Sequence, residues 1–461
     1  MRFLTCLVLL FGFLVVLVLR ARAAPSDWDD FRSRCCQSGS RSESLVGSFL
    51  RRHAGPLILG TQPETPRSPR RVFSAPAVSQ KVSFASSKPQ LFAPDGDKKS
   101  LDDARSGFPT RLLGDKVVFL YRDRKARQVE VGGDFTGWNR WEPAQRLSQS
   151  SLFYLELPHV PAQARLEYRF RVDGRELVDA RNPLRVDNGV GGENSVLAMP
   201  GYSPVLPSAA PLRGQLAIWQ RPVPGGGTRK IVVYTPPGIL EGPLPSLYIH
   251  DGSEYLERTG LARVAEDLLA EGRMHPTVLV FVDPLDRTRE YDRDSDFTRE
   301  MVDSIVPFVD GRYPTRQDPA WRGVMGASMG GLISWHLGST HPEVFGRVAS
   351  QSGAFAHRPE VRREAGLSVP RLARLYLDVG LYDLAHPNQP SFLQASRQLA
   401  ETLREQGLEP LYREFPAGHS WTAWRDQLPV LLEFLFPVQP DSSRQGPEER
   451  EPIEPADFMK D

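Results

Sequence analysis

The plainest chemistry in the chain sits in five residues, Gly326-Ala327-Ser328-Met329-Gly330. A Gly-x-Ser-x-Gly run places a serine on a sharp turn between a strand and a helix, and the flanking glycines let both elements approach where a Cβ would collide. Apolar Val324-Met325 before it and Gly331-Leu332-Ile333-Ser334-Trp335 after it read as that strand and that helix. A serine hydroxyl is a weak nucleophile until a base takes its proton, so an acid and a histidine are expected downstream, in that order. His419, in Ala417-Gly418-His419-Ser420-Trp421, lies between the last strand-like run and the last helical one and is the expected base. His357 follows the nucleophile helix too soon, and His386 lies in a loop after the acid. Asp383 is the expected acid because it falls just past the run 375–379, whereas Asp378 falls inside it; catalytic groups gather beyond strand C-termini. Two backbone N–H groups must hold the oxyanion. Met329, directly after the nucleophile, supplies one, and Ser253, in His250-Asp251-Gly252-Ser253, is expected to supply the other. His336 and His341 are five apart, off a shared helix face, and the chain has neither a His-Glu-x-x-His run nor a cysteine cluster. No metal and no cofactor are therefore expected.

These residues need a scaffold, and the hydrophobic pattern supplies one. Strand-like runs at 215–219, 230–234, 246–249, 278–282, 323–325, 347–349, 375–379 and 411–415 alternate with helical stretches at 262–271, 300–313, 330–338, 391–407 and 421–436. Apolar strands alternating with helices imply an α/β domain with a mainly parallel sheet, here over 214–438. Upstream, 117–121, 129–131, 153–157 and 166–172 are short strands with a turn at Asp173-Gly174, so 113–200 reads as a β-sandwich and Pro-rich 201–213 as a linker.

The ends differ in composition. Residues 1–23 have a basic start, an apolar run and an Ala-x-Ala end, the pattern of a secretory signal peptide; left uncleaved, the same run would tether the chain to a membrane. Either way the body is exported, to periplasm, envelope or exterior. Residues 24–112 are rich in Ser, Pro and Arg without apolar period, and 439–461 are acidic and proline-containing; both read as disordered. Lysine plus arginine minus aspartate plus glutamate is 57 − 56 = +1 over 461 residues, which excludes a basic nucleic-acid footprint, and three cysteines exclude a disulfide scaffold.

Two resemblances follow from the motifs. Gly132-Gly133-Asp134-Phe135-Thr136-Gly137-Trp138-Asn139, Tyr168 to Gly174 and Gly192 to Val196 resemble the early-set, immunoglobulin-like sandwich of glycogen-branching enzymes, carbohydrate-binding module family 48. In glycan-binding members two tryptophans stack on sugar; Trp138 matches the first, and Arg175-Glu176-Leu177 stands where the second would be. A weak glycan contact through Trp138 and a structural tryptophan are both open. His250-Asp251-Gly252, Val282-Asp283-Pro284, Arg289-Glu290-Tyr291, the serine elbow, Ser350-Gln351-Ser352-Gly353 and Gly418-His419-Ser420-Trp421-Thr422-Ala423-Trp424-Arg425 resemble esterase D-type esterases, with the enterochelin esterase branch nearest. That resemblance implies an α/β-hydrolase fold and hydrolysis of carboxylic esters, in that branch the trilactone of a ferric catecholate siderophore. Arg289, Glu290 and Arg425 are either charges for an anionic substrate or ion pairs bracing loops; with Asp251, Gly252 and Trp421 they make up the candidate substrate contacts. Feruloyl or acetyl ester hydrolysis on polysaccharide, acyl transfer, and glycan binding by an inactive hydrolase fold are the alternatives.

Overall fold

Runs such as Val278-Leu279-Val280-Phe281-Val282 have no polar face, and a strand of that kind is stable only when both sides are covered. In the computed structural model, such runs form the middle of an eight-stranded sheet. The structure describes residues 110–438 apart from 114–115, 149, 190, 239–241, 368–370 and 384–390. The signal-like residues 1–23, the arm over 24–109 and the acidic tail 439–461 lie outside the described residues.

The large sheet comprises β11 (Gln215–Pro222), β12 (Thr228–Thr235), β13 (Ser246–His250), β14 (Val278–Val282), β15 (Arg322–Ala327), β16 (Arg347–Gln351), β17 (Arg374–Gly380) and β18 (Leu411–Phe415), in the order β11-β12-β14-β13-β15-β16-β17-β18. β14 to β18 run parallel, and the hairpin β11–β12 joins antiparallel at one edge. Every residue of β13 to β16 is buried. The helices that cover them are α1 (Leu261–Ala270), α2 (Met329–Thr340), α3 (Glu360–Leu367), α4 (Phe392–Glu405) and α5 (Trp421–Leu435). One core, around Val280, Val324 and Leu332, fills the α2 and α4 side; a second, around Leu247, Met325 and Leu428, fills the α1 and α5 side. α2 is buried nearly all round, as a helix inserted between sheet and surface elements must be.

The helical stretch expected over 300–313 is real but broken into Ser295–Glu300, a π turn at Met301–Ile305 and Val306–Asp310. Pro307 falls directly after the π turn, where proline, lacking an N–H, interrupts the regular helical ladder.

The N-terminal region is β-rich. β1 (Thr110–Leu113), β2 (Lys116–Arg122), β5 (Gln145–Arg146) and β6 (Leu152–Leu157) form one antiparallel sheet; β3 (Val129–Gly133), β4 (Glu142–Pro143), β7 (Arg165–Val172), β8 (Arg175–Leu177), β9 (Arg185–Asp187) and β10 (Glu193–Ala198) form another. Both contribute to one core, in which Phe119 of β2 meets Tyr168 of β7 at 4.8 Å between ring centres. Residues 110–112, expected in the disordered arm, pair with β2 as part of β1.

Candidate active site

β15 ends at Ala327 and α2 begins at Met329, so Ser328 occupies the turn alone. Its φ of 57° and ψ of −120° lie where a side chain is strained. Three backbone hydrogen bonds hold it there: Ser328 N–H donates to Gln351 O at 2.9 Å, and Ser328 O accepts from Leu332 and Ala354 at 3.0 and 2.9 Å. The glycines act by space. A Cβ on Gly326 would lie 2.5 Å from the backbone of Gly330. Met329 is the first helical residue, so its N–H has no intrahelical acceptor and is free for an incoming oxygen.

Asp383 lies just past β17 with its side chain wholly buried, and His419 lies just past β18 with its side chain one-third exposed. The two β strands are neighbours, which brings the loops together. His419 Nδ1–H donates to both carboxylate oxygens of Asp383 at 3.0 Å. That leaves Nε2 as the atom able to take a proton. Aromatic rings wall the imidazole: Phe392 at 4.7 Å and Trp424 at 4.8 Å between ring centres, with Trp421 edge-on to Trp424. Gln351 links the serine turn to the aromatic wall, because its carbonyl receives Ser328 N–H and its amide donates to Trp424 O at 3.0 Å.

Asp378, the competing acid, is buried under this floor. It accepts from Gln351 Nε2 at 3.1 Å and from Tyr376 OH at 3.0 Å, and burial pushes its carboxyl up to about 7. It makes no contact with His419.

Several expected site residues are placed differently. Ser253 N–H donates to Asp283 Oδ1 at 2.6 Å and its hydroxyl to Oδ2 at 2.5 Å, so this amide is engaged rather than open to an oxyanion. Glu290 is buried and pairs with Arg229 at 2.9 Å, which also pairs with Glu300 at 2.8 Å; it braces the loop after β14 rather than meeting substrate. Arg289 points outward on an exposed position of a one-turn helix. Arg425 pairs with Asp426, whose carboxylate also accepts from Tyr202 OH at 2.6 Å, so it belongs to the packing against the linker. Asp251 is buried and left-handed, and its carboxylate is gripped by Arg287 at 2.8 Å. Gly252 allows close approach, since a Cβ there would lie 2.5 Å from the β14 backbone. Trp421 lies in the aromatic wall, edge-on to Tyr255. Trp138 is part-exposed, and its indole N–H donates to Asp134 at 2.8 Å.

Sequence reasoning missed Arg287. Its guanidinium holds Asp251, whose carboxylate borders the elbow at Gly330. Only the phase of the one-turn helix Arg287–Tyr291 decides between Arg287 and Arg289, and that phase is invisible in so short a segment.

Comparison with known proteins agrees with this geometry. Residues 225–435 match the family model described as "Putative esterase". The chain is 28% identical over 218 residues to an iron(III) enterobactin esterase of Dickeya dadantii, covering 43% of this chain and about half (50%) of that one. It is 24% identical over 307 residues to the iron(III) enterobactin esterase of Escherichia coli K12, covering 62% of this chain and 74% of that one. A crystal structure of the enterobactin esterase of Shigella flexneri superposes with a TM-score of 0.57 at 22% identity, covering 74% of this chain and 99% of that one, which shows a shared fold. The chain is an esterase-like α/β-hydrolase, a carboxylic ester hydrolase.

Proposed function

We propose that the chain is an exported serine esterase in which Ser328, His419 and Asp383 form the catalytic triad. The observation that carries this reading is the paired carboxylate on His419 Nδ1, in the loop order the strained serine requires. Ser328 Oγ attacks the ester carbonyl, and His419 Nε2 takes its proton. Met329 N–H stabilises the oxyanion, and one such donor contributes about 3 kcal/mol. The imidazolium, held by Asp383, returns the proton to the leaving alcohol. Water, deprotonated by the same imidazole, then frees the acyl group from Ser328.

The substrate we favour is a siderophore-type ester with aryl groups. The similarity to enterobactin esterases supports it, as do the Phe392, Trp421 and Trp424 rings around the base. Export rests on the leader-like residues 1–23. A feruloyl ester is the second reading, favoured by 26% identity over 180 residues to an endo-1,4-beta-xylanase/feruloyl esterase of Xylanibacter ruminicola.

Hydrolysis of p-nitrophenyl acetate and butyrate, beside Ser328→Ala, tests the chemistry. Turnover should fall by several orders of magnitude in the variant. Equal rates in both would refute the triad. A ferric catecholate trilactone against methyl ferulate then decides the substrate.

A further inference from the structure

His419 is fixed by Asp383 at its ring, but its backbone is fixed from elsewhere. Asp134, in the single turn Asp134–Thr136 after β3, is buried with both carboxylate oxygens engaged. Oδ1 accepts from Trp138 Nε1 at 2.8 Å, and Oδ2 accepts from Glu167 N at 2.8 Å. The carboxylate lies flat on Gly418: an ideal Cβ there would be 2.2 Å from Asp134 Cγ and 2.3 and 2.7 Å from its oxygens. Gly418 has no positive φ, so the glycine is required for space and not for backbone conformation.

The two residues before it are held as well. Arg165 N–H, at the start of β7, donates to Pro416 O at 3.1 Å and bridges to Ala417. Ala417 O in turn accepts from Tyr382 N–H at 3.1 Å, and the Tyr382 side chain packs on the core of the β-rich domain. Residues 416–418 are therefore clamped between that domain and the loop bearing the acid. The clamp ends one residue before His419 on one side and one residue before Asp383 on the other.

We propose that the β-rich domain is a working part of the active site, with Asp134 a positioning residue that sets His419 through Gly418. The proposal rests on the triad assigned above. Asn at 134 is not a substitute, because its NH2 would face one of two N–H donors where the carboxylate accepts both.

The test is a double-mutant cycle of Asp134→Ala and Gly418→Ala, read with p-nitrophenyl butyrate beside wild type and Ser328→Ala. Gly418→Ala should lower kcat by roughly 10²-fold with KM nearly unchanged, since a displacement of about 1 Å at a reacting group costs that much. Removing the carboxylate makes room for the methyl, so the double variant should regain roughly tenfold over Gly418→Ala alone. The NMR resonance of the His419 Nδ1 proton should move in each single variant and return toward wild type in the double one, with no substrate needed. Additive losses, or single variants with wild-type kcat and an unmoved resonance, would overturn the proposal. If Ser328→Ala is as active as wild type, the triad fails instead, and the proton resonance still reports whether Asp134 sets the ring.

Discussion

Asp383 meets His419 Nδ1 with both carboxylate oxygens at 3.0 Å, while Asp378, five residues earlier, is sealed beneath Gln351 and Tyr376. One carboxylate is at the end of its strand and the other inside it, and that difference predicts different roles. Asp383→Asn keeps the shape but offers an amide N–H to the ring and favours the wrong tautomer. It should lower kcat by about 10³- to 10⁴-fold, whereas Asp378→Asn should keep kcat within about tenfold. Steady-state kinetics on the two variants side by side checks this, and comparable losses would refute the assignment.

Asp378 instead contributes to the pH dependence of stability. Its carboxyl is raised by burial from 3.8 to about 7. Between those values the folded protein holds a proton that the unfolded chain has lost. The contribution is therefore fully present below pH about 4 and is lost as pH rises toward about 7, by up to about 1.4 kcal/mol per pH unit. Buried His250, pushed down to about 3 by burial, acts in the opposite sense, losing stability as pH falls. Asp378→Asn keeps an acceptor for Gln351 and Tyr376 and removes the titration. The difference between wild type and variant in urea unfolding, taken at pH 4.5 and pH 7.5 as about the two ends of the window, should expose the slope; His250 cancels in it. Parallel curves would show that Asp378 is ionised throughout.

The elbow glycines should differ in tolerance. A Cβ on Gly326 strikes the Gly330 backbone at 2.5 Å, and backbone cannot swing away. On Gly330 the nearest atom is a carboxylate oxygen of Asp251 at 3.3 Å, which needs to give only slightly. Gly326→Ala should abolish soluble, active enzyme, and Gly330→Ala should keep measurable turnover with about 1–2 kcal/mol less stability. Expression and thermal unfolding of both variants decide it.

The places of Ser328, Asp383 and His419 in the fold were legible because three signals coincide there: a motif, a strand–helix switch in periodicity and chain order. The parallel sheet was legible too, since β13 to β16 carry short apolar runs and are buried throughout. What was not legible depends on facing. Among its described residues α3 buries Val361 and Ala365, too few to show a period. Ser253 reads as an open amide until the fold brings Asp283 of the next strand's end against it. The grip of Asp134 on Gly418 joins residues 284 positions apart, and nothing local marks it.

Glu290 shows how burial overrides a plausible sequence role. Its carboxylate and that of Glu300 share Arg229, which lies over the Phe297 ring and is itself almost wholly buried. Losing the one cation from such a cluster leaves both carboxylates uncompensated, at a cost of about 3–5 kcal/mol. Arg229→Met, which strands two carboxylates, should therefore be more destabilising than Glu290→Gln, which leaves Arg229 paired with Glu300. If the cluster only braces the loop, Glu290→Gln lowers the unfolding midpoint while KM for a charged ester stays within about twofold of wild type. A KM that rises strongly for anionic esters and not for neutral ones, with stability unchanged, would return Glu290 to the substrate site.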